Sequence, residues 1–346
     1  MLPVHKTIVD AVIRKADALC PDSLALIGLY GSAATGDLHG KSDLDLLILI
    51  KDDKGWQLGK GFILEDSGIG YDIYCTNWDM LEGEAACEHA HLTKLMDSVI
   101  VYVRDEEAMH KLEELRKQAA SVLNSDARFE KAQALMENAK KAYADCFLGE
   151  SLSQVRLSAG GVLFYLVDAV MLFNGTYFRK GVKRTYEELH ALKLPFDLPA
   201  LLENVVCAKS VEEIRAAVTQ LMRITQSYMT RPAEKQAPNP GLAGTYEEMF
   251  SNWRNKMPEA AASGNAFASF MNTLSFQFML CGIASQVQME EIDLMGSFDA
   301  ADLQANAQRF DEALQAYLAV YKAAGIEPVY YADAEEFVSD YLKNEK

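Results

Sequence analysis

Asp43-Leu44-Asp45-Leu46-Leu47-Ile48-Leu49-Ile50 decides how the first third of the chain reads. Side chains on an extended segment alternate, so Asp43 and Asp45 share one face while Leu44 and Leu46 point into a core. Two carboxylates about 4 Å apart repel by about 4 kcal/mol at an effective dielectric near 20, and a divalent cation turns that repulsion into attraction. Hard oxygen donors that leave part of the coordination sphere open suit Mg²⁺ that also holds phosphate groups.

Upstream, Leu24-Ala25-Leu26-Ile27-Gly28-Leu29-Tyr30 is apolar enough for a buried strand and runs straight into Gly31-Ser32-Ala33-Ala34-Thr35-Gly36. A strand that turns at Gly-Ser into a short helix brings backbone N–H groups close to a ligand, which makes a phosphate cradle. Ser32 adds a hydroxyl, and Gly36 ends the turn before a loop to Ser42. Downstream, Ile69-Gly70-Tyr71-Asp72-Ile73-Tyr74-Cys75 alternates again, and Asp72 faces the first two acids if this strand lies beside theirs. Three converging carboxylates complete a two-metal site.

Gly31 and Ser32, a spacer, Asp43 and Asp45, and Asp72 on a later strand together resemble the polymerase-beta-type nucleotidyltransferase superfamily. Leu29-Tyr30-Gly31-Ser32-Ala33 and Ser42-Asp43-Leu44-Asp45-Leu46-Leu47 look most like its bacterial branch of aminoglycoside and lincosamide nucleotidyltransferases and the small enzymes paired with helical HEPN proteins. The resemblance implies an α+β fold, with a small mixed sheet forming the catalytic domain and a large all-helical region following it. It also implies transfer of a nucleoside monophosphate from ATP or another NTP to a hydroxyl of a small molecule such as an aminoglycoside-type antibiotic. Asp43, Asp45 and Asp72 would hold two Mg²⁺, and Gly31 and Ser32 would hold the β- and γ-phosphates. The alternatives are a regulatory enzyme that modifies protein or tRNA, and a nucleotide-binding protein without catalysis. Many relatives carry Arg where this chain has Thr35. Lys180 and Lys183, in the basic run Asn174 to Arg184, are candidates to replace it at the triphosphate; the other reading of that run is a solvated cap on a helix C-terminus.

The charge of −17, from 33 basic and 50 acidic residues, speaks against nucleic acid as a partner and fits a cationic acceptor. Six scattered cysteines show no framework spacing and read as reduced thiols in a cytoplasm. Val4 to Leu19 reads as an amphipathic helix without a signal-peptide core. No membrane span is expected, because the best apolar stretch, Gly160 to Phe173, is short and contains Asp168. The sequence carries no signal for an oligomeric state.

Periodicity divides the chain into a catalytic domain at 1–107, a helical bundle at 108–230, a Pro/Gly-rich linker at 231–245 and a second bundle or extension at 246–346. Gly161–Phe173 and Phe267–Ile283 are candidates for equivalent helices of two repeats. Asp168, in the apolar run Val162 to Phe173, either pairs with a group such as Arg156 or faces a site; Asp168, Asp145 and Glu150 are candidates for the acceptor-orienting acid that the resemblance implies. Cys87-Glu88-His89-Ala90-His91 has ligand-type residues but no matching second cluster, so no structural zinc is expected. Tyr177, Phe178 and Trp253 are candidates to line a cleft, although core packing is the simpler reading.

Overall fold

A computed structural model describes residues 2–35, 42–231 and 234–344. The elements run α1 (Pro3–Leu19), β1 (Leu24–Leu29), α2 (Ser32–Thr35), β2 (Leu46–Ile50), β3 (Lys60–Leu64), β4 (Ile69–Ile73), β5 (Cys75–Thr76), α3 (Trp78–Ala85), α4 (Thr93–Met96) and β6 (Val99–Val103). Helices follow: α5 (Glu106–Leu123), α6 (Ala127–Leu148), α7 (Leu152–Phe173), α8 (Thr185–Ala191), α9 (Leu198–Cys207), α10 (Val211–Met229), α11 (Thr245–Trp253), α12 (Lys256–Ala262), α13 (Ala266–Ala284), α14 (Leu303–Ala323) and α15 (Ala334–Tyr341). The fold is α+β, as expected.

The four-stranded sheet has the order β5-β2-β1-β6; β1 pairs antiparallel with β2 and β6, and β2 pairs parallel with β5. Every residue of β1 and β2 is buried, because both faces are covered. On one face Ile27, Leu29, Ile48 and Ile50 meet Ile8, Val9, Val12 and Ala16, the apolar stripe of α1. On the other, Ala25, Leu26, Leu47 and Leu49 join Leu81, Leu112 and Leu115 in a cluster that continues to Met229. A separate hairpin, β3–β4, pairs Gly61 with Asp72.

Residues 1–230 form one compact unit and 231–346 a second. The expected seam at 107/108 is not there: β1, α5 and α10 share one apolar cluster, so the strand-rich part and the first bundle fold around a common core. Within this unit Arg215 of α10 donates to the carbonyls of Cys146, Phe147 and Gly149, satisfying acceptors that the end of α6 leaves open. Gly161 lets α7 approach α6, since a Cβ there would lie 3.3 Å from Ala142 Cβ.

The second unit has its own core of Met249, Phe276, Phe310, Tyr317 and Tyr321. The described part of the expected 231–245 linker packs into it: Gln236 bridges to Val287, and Leu242 is buried. Helices α11 and α12 are separated at Arg254–Asn255, because Pro258 cannot donate to the Arg254 carbonyl and its ring clashes there.

Among the described residues two helices, Leu152–Phe173 and Ala266–Ala284, are long and apolar enough to cross a membrane by length and composition alone. The first is a core helix of its unit, with Val155, Val162, Leu166 and Asp168 all fully buried.

Candidate active site

The β1/β2 ladder continues one step past the strands, since Tyr30 N–H donates to the Asp45 carbonyl at 3.1 Å. Asp43 to Asp45 are thus the extended lead-in to β2, not part of it, yet the expected alternation persists. Leu44 and Leu46 are buried, Asp45 is half-buried and Asp43 is exposed. At the end of β1 the chain turns at Gly31, whose φ of +60° is left-handed. A Cβ at Gly31 would lie 1.9 Å from Asp45 Oδ2. Gly31→Ala therefore forces the turn and the carboxylate apart, and it adds about 1–2 kcal/mol of left-handed strain. We expect it to lower the melting temperature, checked on the purified variant by calorimetry.

Burial raises the Asp45 pKa and the neighbouring Asp43 charge raises it further, while the Ser32 N–H opposes both by donating to the carboxylate. The Ser32 Oγ is buried with no hydrogen-bond partner among the described residues. An orphaned hydroxyl, a turn with no room for a side chain and two carboxylates crowded into one volume fit a divalent cation with phosphate oxygens. Asp43 and Asp45 supply an all-oxygen donor set of the kind Mg²⁺ takes. Among the described residues no group of three or more His, Cys, Asp or Glu gathers as a metal site.

Asp72 does not stand on a strand next to β2. Its strand β4 pairs with β3, with Tyr71 and Ile73 inward and Asp72 outward and exposed. Asp43 and Asp72 nevertheless line one open cleft of about 540 Å³, together with Phe62 and Ile63. Asp43 also lines a larger cleft of about 680 Å³ with Asp45, Gly31 and Ser32. Asp43 is thus the junction between the two clefts.

The lining of the larger cleft also carries Arg179, Lys183 and Arg184. Lys180 is not part of this wall; its Nζ pairs with Glu187. The basic run was the sequence signal for this wall, but Arg179 and Arg184 were not singled out from it. Arg184 also pairs with Glu187, at 3.2 Å, and Arg179 lies 4.8 Å over the Tyr177 ring. Tyr177 and Phe178 are buried beneath this segment and do not line the cleft, and Trp253 packs on Phe276 in the core of the second unit.

Beside Asp45, Tyr30 and Tyr74 share a hydrogen bond of 3.0 Å, and burial pushes the Tyr30 phenol well above its ordinary pKa, keeping it protonated. The Lys94 ammonium lies 5.7 Å over the Tyr74 ring and pairs with buried Glu84 at 3.0 Å. Sequence reasoning missed this network, whose members lie far apart along the chain. Asp168 pairs with His91 rather than Arg156, which instead donates to the Ala208 carbonyl. Asp145 and Glu150 are exposed near the C-terminal end of α6, away from both clefts. Gly36 to Lys41, with Gly36 as the expected end of the turn, lie outside the described residues.

All six cysteines are free thiols. A search among curated proteins finds no match for the chain. A family model described as a nucleotidyltransferase domain matches residues 12–121, a span that holds all six strands, Gly31, Ser32, Asp43, Asp45 and Asp72, and ends within α5. Over residues 12–121, then, the chain is similar to nucleotidyltransferase domains.

Proposed function

We propose that the protein transfers a nucleoside monophosphate from a Mg²⁺-bound nucleoside triphosphate, ATP, to a hydroxyl of a small molecule and releases pyrophosphate. The observation that carries this reading is the position of Asp43 between a cleft walled by cations and a cleft walled by a carboxylate and apolar side chains. In the first, Gly31, Ser32, Arg179, Lys183 and Arg184 take the triphosphate. In the second, the acceptor lies against Phe62 and Ile63, and Asp72 favours one that carries a positive charge.

The acceptor oxygen forms a bond to the α-phosphorus as the bond from that phosphorus to the bridging oxygen breaks. Pyrophosphate leaves with that oxygen, and Asp72 accepts the hydroxyl proton. Asp43 and Asp45, with Asp72 on the acceptor side, would hold two Mg²⁺, which when bound would neutralise developing charge on the phosphoryl oxygens. Arg179 and Lys183 orient the leaving pyrophosphate. Free thiols throughout fit a cytoplasmic enzyme.

The test is incubation with Mg²⁺, labelled ATP and a panel of aminoglycosides, lincosamides and bulk tRNA, followed by pyrophosphate release and mass analysis of each acceptor. Adenylylation of one small molecule supports the reading. Labelled tRNA or labelled protein moves the assignment to a regulatory enzyme, and ATP binding with no release on any acceptor supports a binding protein without catalysis.

A further inference from the structure

Asp168 is fully buried on α7, where an ionised carboxylate needs partners. Its Oδ2 accepts the Ala90 N–H at 3.1 Å, and its Oδ1 lies 3.3 Å from His91 Nε2. The His91 side chain is half exposed, so the pair reaches from the core to the surface. Its ring stacks on Phe178 with centroids 5.2 Å apart and planes 21° from parallel. The Phe178 N–H donates to the Ala90 carbonyl at 2.8 Å. The 89–91 turn therefore grips Phe178 twice, through backbone and through ring.

The next residue is Arg179, on the wall of the larger cleft. From the other side, Glu188 of α8 accepts the backbone N–H groups of Arg179 and Lys180, at 2.8 and 3.1 Å. The Tyr177 hydroxyl donates to Asp97 at 2.8 Å. The cationic segment is thus tethered at its N-terminal end by Asp97 and the His91–Asp168 pair and braced along its length by Glu188. A buried ion pair adds little stability over an apolar pair of similar volume. Here it holds Phe178, the residue next to Arg179, which lines the same cleft as Gly31 and Ser32.

We propose that His91 and Asp168 are positioning residues for nucleotide binding: their ion pair fixes Phe178 and so holds Arg179 and Lys183 in the cleft they share with Gly31 and Ser32. This inference rests on the nucleotide reading above. The Asp168 carboxylate beside Nε2 raises the His91 pKa, with a smaller contribution from the Glu188 charge, while burial of the ring opposes both. The charged and titratable groups facing His91 are Asp168 from α7, Glu188 from α8 and His89 in its own turn. Because the folded pKa lies above the ordinary histidine value, the pairing is complete below that value and is lost as pH rises through the raised one.

The experiment is calorimetric titration of the full chain with Mg²⁺-ATP from about pH 6 to about pH 9, comparing wild type with His91→Gln and Asp168→Asn. Wild-type affinity should weaken about tenfold across that range. His91→Gln should bind about tenfold more weakly at the acid end and lack the wild-type pH dependence, with kcat at saturating ATP unchanged. If Asp168→Asn fails to fold, His91→Gln carries the test, since that side chain is half exposed. Wild-type affinity and pH dependence in His91→Gln would overturn the inference while leaving the nucleotide reading intact. Failure of the wild type itself to bind Mg²⁺-ATP would overturn both.

Discussion

Asp45→Asn should slow nucleotidyl transfer by about three orders of magnitude while leaving the fold in place, because metal-assisted charge stabilisation is worth several kcal/mol and each ~1.4 kcal/mol is tenfold. Asparagine matches aspartate in shape and still fits against Gly31, but it brings no charge to a site whose other carboxylate is Asp43. Without metal that charge is a liability. The folded pKa of Asp45 lies above the ordinary carboxylate range, so between the two values the folded state binds more protons than the unfolded one. Stability of the metal-free wild type therefore falls as pH rises from the ordinary carboxylate range through the raised value, and Asp45→Asn loses this dependence. At neutral pH Mg²⁺ should raise the melting temperature of the wild type and leave the variant nearly unmoved. Wild-type turnover by Asp45→Asn at physiological Mg²⁺ would remove Asp45 from the mechanism.

The double variant Arg179→Gln/Lys183→Gln should raise the KM for ATP about 100-fold, since a hydrogen bond to a charged group contributes roughly 1.5 kcal/mol or more. Both residues line the cleft with Gly31 and Ser32. Lys180→Gln makes the control: its ammonium pairs with Glu187, and a surface pair of that kind is worth at most about 1 kcal/mol. Its KM should move less than threefold. Steady-state kinetics at two ionic strengths checks both variants, because salt should weaken ATP binding in the wild type more than in the double variant. Equal KM values for the double variant and Lys180→Gln would mean that the triphosphate does not use this wall.

Local chemistry made much of the sheet and the first two acids legible. Gly31 is the one residue type that accepts a left-handed turn against a carboxylate, and Asp43-Leu44-Asp45 alternates even ahead of the strand proper. Long amphipathic helices such as Glu106–Leu123 and Val211–Met229 appear with the boundaries their periodicity suggests. Strand β3 was not anticipated, because Lys60-Gly61-Phe62-Ile63-Leu64 gains its meaning only from pairing with β4. That pairing also moved Asp72 onto the hairpin, away from the strand beside β2.

The remaining gaps share a cause: partners distant in sequence. His91 meets Asp168 across 77 positions, a juxtaposition that no local pattern encodes. The basic run announced a cationic surface, but the partners of its members, Glu187 for the Lys180 side chain and Glu188 for the backbone of Arg179 and Lys180, lie outside the run itself. Nor did periodicity reveal that the strands and the first bundle share one core, because α5 and α10, which help close it, are amphipathic in the ordinary way.

The central claim is that the two clefts meeting at Asp43 hold the donor and the acceptor of one nucleoside monophosphate group. Parallel reactions with ATP labelled at the α- or at the γ-phosphorus, run with whichever acceptor the panel identifies, test it most directly. The account predicts that the α label stays with the acceptor and the γ label leaves as pyrophosphate. Transfer of the γ label to the acceptor, or release of orthophosphate in place of pyrophosphate, would contradict it.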